Sequence, residues 1–118
     1  MTGGVELILG VKVDQGFGPF VLVGAGGVLT EVLADSVLRP APVTHETALR
    51  MIGELRVSKL LGGYRGAPPA DVDALADAIV ALSEVAWRHR DSLVEADLNP
   101  VLALPDGVRV VDVLLVQR

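Results

Sequence analysis

Cysteine is absent from the 118 residues, so neither a disulfide nor a thiolate metal site can contribute to this fold. Aromatic residues are almost absent too: Trp87, Tyr64, Phe17 and Phe20 are the whole set, 3% of the chain. A core built from this sequence must be aliphatic. Basic residues are few and scattered, 10 Lys and Arg against 15 Asp and Glu, for a net charge of −5. That is no footprint for a phosphate backbone, and nucleic acid is not an expected partner. No apolar run approaches the ~18 residues of a membrane span, and no signal peptide precedes the first strand. The expectation is a soluble cytoplasmic protein with no membrane partner. What the chain has in quantity is aliphatic carbon, with 51% hydrophobic and 21% charged residues. At this length it reads as a single domain, 1–118, with a modest core. Apolar surface left uncovered on such a chain favours self-association, so a homo-oligomer is expected.

Apolar patterning gives the order of elements. Val5 to Val13 reads as a strand, "DQGFGPF" as a loop with Phe17 filling a core edge, and Val21 to Val23 as the return. "GAGG" at 24–27 follows, then "VLTEVL" and "SVLRPAPV" as two short strands around Ala34-Asp35. Thr44 suits a helix N-cap with Glu46 in the first turn, and Ala48, Met51, Ile52 and Leu55 follow helical spacing. Leu60 and Leu61 predict a short helical continuation up to Gly62-Gly63. After the loop "YRGAPPAD", Pro69 leads into a second helix whose stripe is Val72, Leu75, Ile79, Leu82 and Ala86. The order ββββ-α-α-ββ predicts an α+β fold: a mostly antiparallel sheet with two helices packed on one face.

The closing hairpin, Leu93 to Leu115, carries the chemistry. Asp106-Gly107 is a strong two-residue turn signal. With that loop, Pro105 pairs with Val108 and Val101 stands opposite Asp112. Alternation then puts Glu95, Asp97, Asn99, Val101 and Asp112 on one face, with Asp112 diagonal to Asn99. Leu98, Leu102, Leu104, Val111, Val113 and Leu115 form the opposite, core-facing side. A carboxylate and an amide at i and i+2, with a second carboxylate returning beside them, make a set of hard oxygens suited to Mg²⁺. A solvated sheet face is the alternative reading.

Other motifs are weaker. "GAGG" fits neither G-x-G-x-x-G nor a P-loop and reads first as a strand-to-strand turn. His45 sits in the first turn of a helix and His89 near the end of another. Both read as surface residues. Arg65 suits either an anion or a braced loop, and Glu6 reads as a solvent-face strand residue.

At "LVEADLNPVL…RVVDV" the chain resembles the ATP-grasp domain of NDP-forming acyl-CoA synthetases, relatives of the succinyl-CoA synthetase β subunit. The likeness runs nearly end to end. "GGVELILGVKVDQGFGPFVLVGAGG" is similar to the family's "G-V-E-L-I-x-G … D-P-x-F-G-P … G-x-G-G" segment. "LLGGYRGAPPAD" resembles its "L-x-G-Y-R-G-x-P-P-x-D" loop, and "EADLNP" its "E-x-D-I-N-P" signature. The resemblance implies the C-terminal part of an ATP-grasp domain, with ATP and Mg²⁺ as cofactors. Asn99 and Asp112 match the family's metal ligands, and Asp97 an acid that contacts the catalytic phosphohistidine. Gly26 and Gly27 match its G-G turn.

The implied reaction is acyl-CoA formation from an acid, CoA and ATP, releasing ADP and phosphate. The adenine pocket, the phosphate-contacting lysine and the CoA-binding and phosphohistidine domains match nothing here, so the chain alone is expected to be incomplete and inactive. Gln15 replaces a usual proline, Val13 a frequent arginine, and Leu114 an arginine that often follows the return-strand aspartate. The last change is expected to weaken phosphate binding. Two competing readings are a regulatory module of a synthetase-like protein acetyltransferase and a plain assembly domain.

Overall fold

Alternation in "VELILGVKV" makes the first strand long and two-faced, and it becomes the spine of the sheet. The computed structural model describes residues 5–26, 35–62 and 69–118. Strand β1 (Val5–Asp14) buries Leu7, Leu9 and Val11 on one face, and β2 (Gly18–Ala25) returns antiparallel with Val21 and Val23 facing the same core. β3 (Ser36–Pro40) adds to the edge of β2. The strand expected over "VLTEVL" lies outside the described residues, as do Arg65 and Gly27.

Among the described residues three helices follow: α1 (His45–Glu54), the short α2 (Ser58–Leu61) and α3 (Val72–Arg88). Thr44 caps α1 as expected, its Oγ1 accepting from the Thr47 N–H at 3.1 Å. α3 starts behind its N-cap Asp71, whose carboxylate accepts from the Ala74 N–H at 2.9 Å. The fully buried residues of α3 are Leu75, Ala76, Ile79, Ser83 and Ala86, and Val72 and Leu82 of the expected stripe pack half-buried against the core. Ser83 Oγ is satisfied, donating to Val80 O at 2.8 Å and accepting from Val43 N–H at 3.1 Å. That bond ties the approach to α1 onto α3.

The last three strands are β4 (Leu93–Leu104), β5 (Gly107–Val110) and β6 (Val113–Gln117). β4 pairs with β1, and both β5 and β6 lie along its other side, so the order is β3-β2-β1-β4-β5 with β6 also on β4. Every pairing is antiparallel. α3 packs across β1 and β2 and α1 against α3 and β3, so the longer helices cover one face of the sheet. The expected α+β architecture is the observed one. The core is aliphatic, with Leu7, Leu9, Met51, Leu61, Leu75 and Ile79 fully buried. Each such side chain contributes about 1.5–3 kcal/mol.

Two expectations fail. Phe17 does not fill a core edge: it is 84% exposed at the tip of the β1–β2 hairpin. Asp14 Oδ1 accepts from the N–H groups of Gly16 and Phe17 at 2.7 and 2.9 Å, and Gly18 at φ 89° turns the chain back. The tip is thus closed by the Asp14 carboxylate, which leaves the aromatic ring in solvent.

The closing hairpin also differs. Leu104 pairs with Gly107 and Val101 with Val110, so the loop is Pro105-Asp106 rather than Asp106-Gly107. Proline has no N–H for the ladder and presets the first loop position, which draws the turn one residue back. Further along, β1 and β4 shift register between Leu7↔Val101 and Leu9↔Leu98. Two β4 residues, Asn99 and Pro100, oppose the single Ile8, and this bulge reverses the alternation. Ala96, Val101 and Ala103 are buried and Leu98 packs on the core, while Leu102 and Leu104 leave the expected core-facing side. Val111, Val113 and Leu115 are more than half exposed, at 58%, 57% and 54%.

Candidate functional site on the helix-free face

With Leu7, Leu9 and Val11 under the helices, Glu6, Ile8, Gly10 and Lys12 point to the other face of β1. Pairing carries that face across the sheet. Leu38, Leu22, Gly10, Asp97 and Leu114 form one cross-strand row, and Phe20, Lys12, Glu95 and Val116 the next. Glu95 and Asp97 are half-buried and Asn99 is exposed. All three belong to this face, as the alternation required. Val101 does not, because the bulge has turned it into the core.

Asp112 comes to the same place by a different register from the expected one. Val101↔Val110 and Leu98↔Val113 keep step, so Asp112 lies directly across from Asn99 rather than diagonal to it. The Asn99 N–H donates to the Asp112 carbonyl at 3.1 Å, and the Val111 N–H to the Pro100 carbonyl at 3.0 Å. Asp112 is exposed, and its Oδ1 accepts from the Val113 N–H at 2.9 Å. The strand breaks at Val111-Asp112 between β5 and β6, and the bulge at Asn99-Pro100 faces that break.

Gly10 is a residue that sequence reasoning passed over. A Cβ there would stand 3.1 Å from Asp97 Oδ1 and 3.4 Å from the Ala96 carbonyl. A larger residue would push Asp97 aside, so the glycine sets where that carboxylate rests. A glycine inside an alternating strand was the readable signal for such a close approach. Lys12 was also passed over; it stands opposite Glu95, a cross-strand pair of opposite charge. Gly26 has a structural role: its N–H donates to Glu6 O at 2.9 Å, continuing the β1–β2 side of the sheet.

Among the described residues, no three carboxylates or imidazoles gather tightly enough to hold a metal on their own. The donor set at the site is Asn99, Asp112 and Asp97, all oxygen, on a water-accessible face. That fits a Mg²⁺ ion, which takes one or two carboxylates and completes its shell with water and phosphate oxygens. Among the described residues, shallow clefts lie elsewhere, one by Val13, Asp14, Gln15 and Arg90 and another by Pro42, Glu84, Trp87 and Arg88.

The histidines separate. His89 caps the C-terminus of α3. His45 is on the surface as expected, and there it is held between two carboxylates of α3, with Nδ1 2.9 Å from Asp77 and Nε2 3.2 Å from Asp73. Asp73 first and Asp77 next raise its pKa above the ordinary 6.5. The two acids also offset the poor placement of a cation at a helix N-terminus. A raised folded-state pKa means the ion pairs contribute stability below the unfolded value and lose it as pH rises through the folded one. The melting temperature of wild type minus that of His45→Ala should therefore shrink from mildly acid to alkaline pH. A difference unchanged across that window would contradict the clasp.

The comparisons agree with this architecture. A family model described as ATP-grasp domain matches residues 1–116, and the chain belongs to that family. It is 45% identical over 116 residues to acetate–CoA ligase [ADP-forming] I of Archaeoglobus fulgidus, covering 98% of this chain and 17% of the relative. It is 41% identical over 113 residues to the β subunit of acetate–CoA ligase [ADP-forming] I of Pyrococcus furiosus, covering 96% of this chain and 48% of that subunit. Among solved structures, acetyl-coenzyme A synthetase 1 of Ca. Korarchaeum cryptofilum, in complex with coenzyme A and Mg-AMPPCP, superposes with a TM-score of 0.93 at 41% identity. That match covers 100% of this chain and 55% of the other. The chain thus spans about half of the separate subunit and a smaller share of the longer ligase.

Proposed function

We propose that residues 1–118 form the C-terminal part of an ATP-grasp domain that holds Mg²⁺-ATP in an ADP-forming acyl-CoA synthetase. The observation that carries this reading is the meeting of Asn99 and Asp112 across β4 and the β5–β6 break, with Asp97 two residues away on the same face. Asn99 would offer its amide oxygen and Asp112 its carboxylate to the metal. A bound Mg²⁺ offsets the negative charge of the phosphates during phosphoryl transfer. Asp97, placed by Gly10, would accept the ring N–H of the phosphohistidine and fix which imidazole nitrogen faces the phosphate. Leu114, beside Asp97 in the same row, adds no charge for phosphate.

The reaction served is acid, CoA and ATP giving acyl-CoA, ADP and phosphate, as the names of the relatives indicate for those proteins. The partners are ATP and the synthetase segments that carry the adenine pocket, the CoA site and the phosphohistidine. Among the described residues no helix is long and apolar enough to cross a membrane, and we place the chemistry in the cytoplasm.

The purified chain is expected to form no thioester from acetate, CoA and Mg²⁺-ATP. Exchanged for the matching segment of an ADP-forming acetate–CoA ligase, it is expected to restore turnover. A folded chimera without activity would contradict the proposal, as would thioester formation by the chain alone.

A further inference from the structure

Of the donors Asp97, Asn99 and Asp112, two meet and one leans away. Asn99 and Asp112 face each other on the β5–β6 side of β4. Asp97 has Gly10 of β1 on one side and Leu114 of β6 on the other. Its Oδ1 lies 3.1 Å from where a Gly10 Cβ would stand. Facing Cβ atoms of an antiparallel pair are about 4.5–5.5 Å apart, so this oxygen has crossed part of the gap to β1. Gly10 is itself buried, and among the described residues no donor meets the Asp97 carboxylate. The backbone gives no reason for glycine here, because the positive-φ glycines among the described residues are Gly18 and Gly107. Glycine weakens a strand interior and marks a place where something approaches closely. What approaches Gly10 is the carboxylate.

We infer that Gly10 is a positioning residue that parts the acids of this face: it holds the Asp97 carboxylate over β1, outside the shell of a metal on Asn99 and Asp112. The inference rests on the function proposed above. Asp112 then offsets phosphate charge through the metal, while Asp97 keeps an oxygen free for the ring N–H of the histidine. That bond turns the lone pair of the other ring nitrogen towards the γ-phosphoryl group. The new N–P bond forms as the P–O bond to ADP breaks, and the ring, now positive, keeps its N–H against the Asp97 charge. With Asp97 on the metal, its oxygen would be occupied and the ring left unoriented. A side chain at position 10 would fill the space over β1 and move the carboxylate off that place.

Metal binding tests the first half. Mn²⁺ is titrated into the 118-residue chain with ATP, and broadening of the Val113 amide is followed by NMR. Asp97→Ala should leave the midpoint within about threefold of wild type, less than the loss of a charged ligand would cost. A larger rise would place Asp97 in the metal's shell and overturn the inference with the metal reading intact. No broadening at Asn99, Asp112 or Val113 in the wild type would remove the reading and the inference together. Kinetics test the second half. In a complete synthetase carrying this chain, Gly10→Val should slow phosphohistidine formation roughly tenfold, since small misplacements near a reacting group are costly. The KM for Mg²⁺-ATP should not change, and Gly10→Ala should fall between. Added to Asp97→Ala, Gly10→Val should cost nothing more. A full rate in Gly10→Val would overturn the positioning role. So would a second loss on top of Asp97→Ala, with a lowered melting temperature, because the glycine would then serve the fold alone.

Discussion

Asp112→Ala, made in a complete synthetase carrying this chain, is expected to lower ATP-dependent acyl-CoA formation by roughly 100-fold or more. Loss of a metal-held charge from phosphoryl transfer costs several kcal/mol, and each factor of ten in rate is about 1.4 kcal/mol. The fold should survive. The bond that ties Asp112 to β4 runs from the Asn99 N–H to the Asp112 main-chain carbonyl, which alanine keeps. The lost side-chain bond, Oδ1 to the Val113 N–H, is exposed, so water replaces it at little cost. Steady-state kinetics at saturating Mg²⁺-ATP, with a melting curve on the same sample, separates the two effects. Full activity, or a loss matched by unfolding, would contradict the assignment.

The largest effect on stability is expected at Asp35. It is 6% exposed, and its two carboxylate oxygens accept from the N–H groups of Arg56 and Val57 at 2.7 and 3.0 Å. Its own carbonyl accepts from the Ala25 N–H at 2.8 Å. One residue therefore joins the β2–β3 edge to the turn between α1 and α2. Asp35→Ala removes both charge-assisted acceptors and leaves two N–H groups without partners in a partly buried place. The expected loss is about 3 kcal/mol, a large part of the total stability of a small domain. Urea unfolding measures it, and Asp35→Asn, which keeps one acceptor, should fall between the two. A loss below about 1 kcal/mol would contradict the bracing role.

Local signals served well where a single element decides the outcome. The Thr44 cap, the apolar faces of β1 and α3 and the antiparallel α+β order all follow from short-range chemistry, and the structure has them. The candidate site was legible only in part. Glu95, Asp97 and Asn99 share a face because simple alternation holds up to the bulge. Beyond it, Val101 and the core side were assigned wrongly, since one extra residue reverses every later position. Pro100 was the readable warning, as proline inside a strand belongs at an edge or a bulge. Pro105 was the second, because it moved the turn back by one. Asp112 was placed opposite Val101, and it meets Asn99 instead because the register changed. Nothing local could announce the clasp of His45 by Asp73 and Asp77, or the reach of Asp35 to the turn at Arg56. Those partners are set by how helices and sheet pack together.

The central claim is that the face carrying Asp97, Asn99 and Asp112 receives the metal of a nucleotide complex. The most direct measurement replaces Mg²⁺ with paramagnetic Mn²⁺ and follows amide signals of the 118-residue chain by NMR in the presence of ATP. Weak binding suffices, because broadening falls off steeply with distance from the ion. Amides around Asn99, Asp112 and Val113 should broaden first, the α3 amides on the other side of the sheet should not, and Asp112→Ala should abolish the effect. Broadening centred on any other part of the chain, or unchanged in Asp112→Ala, would contradict the claim.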